Sequence, residues 1–184
     1  MSSLQKFHRR TQSGGAAPAS FTSIGAGSDT AGFWLGGTVS DKLIVAPRST
    51  ESGLYKWGTY GTARGTLNTT NGLPNTNTLY AFGQAAHPAA YYCKSLTTGG
   101  YNTWYMPASL ELQSIISNQY ATPFNTANSF SFTMYYQSST EGPTVGGNNV
   151  DHVYTVNAGS GALDYSRGGK NTLNPVRAVR RTTV

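Results

Sequence analysis

Hydrophobic and polar positions along this chain fall into short blocks separated by stretches rich in glycine, threonine and asparagine. Phe33 to Val39 and Lys42 to Ala46 read as two strands joined at Ser40 and Asp41. In HPAAYYCKSLTTGG, Ala89, Tyr92, Cys93 and Leu96 recur at i, i+3, i+4 and i+7. Pro88 suits the first turn and Gly99 the C-terminal stop, so the block predicts a helix. A second short helix is predicted over PASLELQSIISNQY, where Ala108, Leu112, Ile115 and Ile116 share a face behind Pro107. In SFSFTMYY, Phe130, Phe132, Met134 and Tyr136 alternate with more polar neighbours, the pattern of a half-buried strand. DHVYTVNAG and PVRAVRRTTV are two further strand candidates. Residues 58 to 80 follow neither period and are expected to form a long irregular loop, with Trp57, Leu67, Leu73 and Leu79 as anchors into the core.

Residues 1 to 31 show no sustained period and many small side chains. They are expected to be an extended N-terminal arm that meets a partner through Lys6, Phe7, His8, Arg9 and Arg10, with residues 32 to 184 as the folded domain. Composition supports a real core in that domain. Only 11% of the chain is charged, but 12% is aromatic, and 78 of the 184 residues are Ser, Thr, Asn or Gly, which favours strands and turns over an all-helical bundle. No apolar run approaches the roughly 20 residues needed to span a bilayer. The single cysteine, Cys93, excludes an internal disulfide and any multi-cysteine metal site. The formal charge of +6 is uneven: residues 1 to 64 carry +4, residues 65 to 166 carry −3, and residues 167 to 184 carry +5.

The elements HPAAYYC, GGYNTWYMPASLEL, YYQSSTE and the closing VRAVR resemble, in sequence and order, the DUF1566 or Lcl C-terminal-like domain found in bacteriophage virion proteins and bacterial surface proteins. The resemblance covers about residues 32 to 181. It implies an α+β, C-type-lectin-like fold with two short helices, a small twisted antiparallel sheet and long loops. Three positions depart from the family's pattern: Thr103 where an acid often precedes the tryptophan, Gln137 where a tryptophan often precedes SSTE, and Ala108 in place of a hydroxyl cap, although Glu111 keeps the N3 carboxylate.

The candidate chemistry points to binding, and no catalytic residue is assigned. Cys93 falls on the apolar face of its helix, which predicts a packed, inert thiol. His87 reads as a helix cap, His8 as part of a basic contact, and His152 beside Asp151 as one of two strand neighbours on opposite faces. Glu141, Asn148, Asn149 and Asp151 cluster in sequence as calcium ligands would, but solvated turn residues are the reading preferred, and no metal or cofactor is expected. Tyr101, Asn102, Tyr135, Asn148, Asn149, Tyr154 and Tyr165 are ligand-binding candidates, because rings stack on sugars and amides pair with hydroxyls. Arg177 is expected to pair with a carboxylate. Arg9, Arg10, Arg180 and Arg181 are expected to pair with an acidic neighbouring subunit; without an aromatic platform, nucleic acid is not the expected partner.

These readings converge on a non-enzymatic virion structural protein. Its expected partners are capsid, collar or tail subunits, with homo-oligomers on the particle. The alternative is a tail-fibre or tail-tip protein that recognises a host surface glycan or protein. A bacterial surface or periplasmic enzyme-like domain is a third class, disfavoured by the missing catalytic groups.

Overall fold

The computed structural model describes residues 27–28, 32–37, 41–119, 128–131, 133–142 and 150–183. Lys6, Phe7, His8, Arg9, Arg10, Asn148 and Asn149 lie outside the described residues. Those described form an α+β fold with three α-helices and small antiparallel sheets.

One sheet of four strands runs in the order β1 (Gly27–Ser28), β2 (Phe33–Gly37), β3 (Lys42–Val45) and β9 (Val179–Arg181). Thus Gly27 and Ser28, inside the expected arm, pair with Trp34 and Phe33. The apolar run Leu43-Ile44-Val45-Ala46 is buried on both faces, as a continuous rather than alternating pattern requires. Leu43 and Val45 join a core with Leu112, Ile115, Tyr136 and Val179, while Ile44 and Ala46 join a second with Trp57, Leu79, Cys93 and Trp104. β3 therefore runs between two halves of the interior.

The two helices expected from periodicity are present as α2 (Pro88–Ser95) and α3 (Ser109–Ser117). Gly99, beyond α2, has φ of 68°, a backbone conformation that glycine adopts without steric cost. A third helix, α1 (Gly72–Ala81), corrects the expected loop over residues 58 to 80. Its inward positions Gly72, Asn75, Thr76 and Leu79 keep helical spacing, but two are polar, so hydrophobicity alone does not mark the face. Thr76 Oγ1 accepts from the Met106 amide at 3.0 Å and Asn75 Nδ2 donates to the Asn68 carbonyl at 2.7 Å, which offsets their burial. Asn71 caps the start, its side chain accepting from Leu73 N at 3.0 Å. Trp57 and Leu79 are buried and Leu73 is partly buried, whereas the expected anchor Leu67 is 59% exposed.

The strand expected in SFSFTMYY begins later, as β5 (Tyr135–Glu141), paired with β6 (Val153–Asn157) and, beyond it, β7 (Leu163–Asp164). β5 is buried from Tyr136 to Glu141 despite its polar sequence. Its side chains hold neighbouring loops. Gln137 Nε2 donates to the Tyr55 carbonyl at 2.9 Å, Ser138 Oγ to that of Tyr154 at 2.9 Å, and Thr140 Oγ1 to that of Asn68 at 2.8 Å. A short pair, β4 (Leu54–Tyr55) with β8 (Asn174–Pro175), closes the architecture.

Candidate functional site

Three glutamates occur in the sequence, and each is drawn into the protein by a cation from the Lys170 to Arg181 segment. Glu141 and Lys170 are fully buried with Nζ 2.5 Å from Oε1. The same carboxylate accepts from the amides of Arg64 at 2.7 Å and Thr66 at 3.0 Å, and Lys170 Nζ also reaches the Thr62 carbonyl at 2.7 Å. Glu141 is thus no solvated turn residue, which corrects the sequence expectation. Burial pushes the Lys170 ammonium below its ordinary value, against the pull of Glu141.

Glu111 supplies the N3 half of a capping box to α3: Ala108 has no side-chain oxygen, but Glu111 Oε2 accepts from the Ala108 amide at 3.0 Å. It also accepts from the Gly72 amide at 2.9 Å, from the Tyr105 hydroxyl at 3.0 Å and from Arg181 Nη2 at 3.0 Å. Burial raises its carboxyl above the ordinary value, and these donors pull the other way. Arg181 Nη1 reaches Asp41 at 2.6 Å. Arg177 is buried and pairs, as expected, with a carboxylate, that of Glu51; its guanidinium lies 4.4 Å above the Phe130 ring.

Arg180 and Arg181 therefore face their own chain, which corrects the expectation of a neighbouring subunit. Arg180 is 3% exposed, its guanidinium 3.6 Å from the Tyr101 ring centre and 5.5 Å from that of Trp104. Cys93 is fully buried and its thiol is raised far above the ordinary value by burial. His87 stands at the start of α2 without capping it. Its Nδ1 lies 2.8 Å from the Trp57 carbonyl, and Arg64 Nε donates to Nε2 at 3.0 Å.

Among the described residues, none of the ligand-binding candidates lines the cleft at the start of α2. Tyr101 lies beneath Arg180, while Tyr135, on β5, lies 5.9 Å from Arg167. Tyr165 is 39% exposed, Asn102 is exposed, and Tyr154 is half-buried on β6. That cleft, of about 340 Å³, opens between the 56–60 segment, the start of α2 and Asn171. Lys56, Thr59, Tyr60, Pro88 and Asn171 line it, and none of its lining residues is acidic. The floor is closely packed: a Cβ on Gly58 would stand 2.5 Å from the His87 ring. Sequence reasoning missed this cleft because its lining comes from three separated segments. Among the described residues, no group of three or more His, Cys, Asp or Glu side chains could hold a metal ion.

A profile of the family described as Lcl C-terminal domain matches residues 49–180. The chain belongs to that family. No curated protein matches it significantly. The Lcl C-terminal domain match begins after β3, yet Leu43 and Val45 of β3 pack in the same core as Leu112, Ile115 and Val179. The folded unit of this Lcl C-terminal domain protein thus extends before the matched residues. No helix among the described residues is long and apolar enough to cross a membrane.

Proposed function

We propose that this chain is a non-enzymatic bacteriophage virion structural protein, a C-type-lectin-like module displayed on the particle and anchored by its N-terminal arm. The observation that carries the reading is the fate of the charges. Each glutamate is spent on an internal ion pair, so these carboxylates serve to fix the fold. His87 and Cys93, the side chains most open to a catalytic reading, are engaged in a hydrogen-bonded contact and in the core. Outside remain loops of hydroxyl, amide and aromatic groups, suited to recognition. The order of HPAAYYC, YNTWYMP, YYQSSTE and VRAVR supports the placement on a particle by its resemblance to virion domains.

In this reading Lys6, Phe7, His8, Arg9 and Arg10 dock onto capsid, collar or tail subunits, and several copies sit on one particle. A tail-fibre or tail-tip role, recognising a host glycan or protein, is the second reading. The half-exposed rings of Tyr60, Phe82, Tyr101 and Tyr165 favour it, because exposed aromatics are common anchors in binding surfaces. Electron microscopy of intact particles separates the two: contacts across a capsomer lattice mark decoration, and a distal position marks adhesion. Deleting residues 1 to 26 spares β1 and is expected to leave a folded protein that no longer enters particles. Normal incorporation of that deletion would refute the anchoring arm.

A further inference from the structure

His87 is fully buried between two partners that fix its protonation state. The Trp57 carbonyl can only accept, so the hydrogen lies on Nδ1, and Nε2 must offer its lone pair to Arg64 Nε–H at 3.0 Å. The neutral imidazole therefore holds the Arg64 guanidinium, which in turn lies 4.0 Å above the half-exposed Phe82 ring. We propose that this contact is an acid-released latch: adding a proton at Nε2 turns acceptor into donor and expels the Arg64 guanidinium from Phe82.

The surroundings favour release of the arginine over its retention. Trp57 and Phe82 present rings to the imidazole, at 5.1 Å and 5.8 Å between centroids. Of the charged groups acting on it, Arg64 and Lys170 oppose a second positive charge, and only Glu141 favours one. Glu141 is already occupied by Lys170 and by the amides of Arg64 and Thr66. Burial is the largest cause holding His87 below its ordinary value of 6.5, so the latch opens below that pH.

What moves is limited. Arg64 N and Thr66 N stay fixed by Glu141, and Gly58 N by the Lys170 carbonyl at 2.9 Å. Release thus bares a mobile cation and an aromatic ring beside the cleft, while the loop backbone holds. Acid would change the surface that a partner meets without unfolding the domain. The device does not depend on the protein's place in a particle.

The test is an NMR titration of the full chain from pH 8 to 4, following the His87 ring, the Arg64 Nε–H and the Phe82 ring protons. The expected result is one shared midpoint below 6.5, with contacts between Arg64 and Phe82 lost beneath it. Amides of Arg64, Thr66, Leu112 and Ile115 should keep their protection through that midpoint. Arg64→Ala, at a half-buried position, should move the His87 midpoint upward and leave at Phe82 only the direct response to the neighbouring His87 ring. Separate midpoints for His87 and Arg64, Arg64–Phe82 contacts that persist below the His87 midpoint, or loss of core protection at the same midpoint would each overturn the latch.

Discussion

Gly58 shows how a single missing side chain can define a surface. Any Cβ there would meet His87 at 2.5 to 2.6 Å, so the segment at the cleft can rest on the imidazole only as glycine. Gly58→Ala is expected to cost about 1–3 kcal/mol by forcing the ring aside. Gly53→Ala, where nothing lies within 4 Å, is its neutral control. Urea denaturation of both checks this, and equal midpoints would contradict it. Glu111 makes the opposite point, since one carboxylate serves two backbone amides, a phenol and an arginine. Its N3 position was legible from PASLE, but the Gly72, Tyr105 and Arg181 donors lie 39, 6 and 70 residues away in sequence.

Among the elements, α1 and α3 meet through that carboxylate. Glu111→Ala is expected to cost about 3–5 kcal/mol, because it removes one member of a buried pair and strands two amides. The loss should exceed that of Asp41→Ala, because the Asp41 carboxylate is 28% exposed whereas that of Glu111 is fully buried. Thermal melts of the two variants test the order. α2 and α3 were readable because Ala89 and Cys93, and Leu112, Ile115 and Ile116, recur at helical spacing on their buried faces. α1 was not, since Asn75 and Thr76 occupy the inward face and their burial makes sense only beside Asn68 and Met106. β5 was misplaced for the same reason: polar side chains are buried wherever the fold brings partners to them.

For the whole molecule, the stretch from Lys170 to Arg181 ties together the elements carrying Glu51, Glu111 and Glu141. A chain of residues 49 to 184 keeps the family match but loses β3, and with it Leu43, Ile44 and Val45 from the interior. It should be expressed unfolded or aggregated, whereas residues 27 to 184 should give a cooperative melt; a folded 49–184 chain would contradict the two-sided role of β3. Stability should also depend on pH through His87. Its folded value is depressed, so the unfolded chain takes up the proton first. The stability it contributes is complete above about pH 6.5 and is lost as pH falls through the folded value. Denaturant midpoints at pH 7.5 and 5 should fall accordingly in the parent and less so in Arg64→Ala.

Apolar spacing and motif order are local properties of the chain, so the helices α2 and α3, the buried thiol of Cys93 and the family, with the α+β class it implies, could be read from residue order alone. The helix α1, the cleft, the ion-paired glutamates and the orientation of Arg180 and Arg181 emerge once the chain is folded. A buried polar group is stable only with a partner, and here those partners come from distant segments, so no window of sequence contains both halves of the interaction.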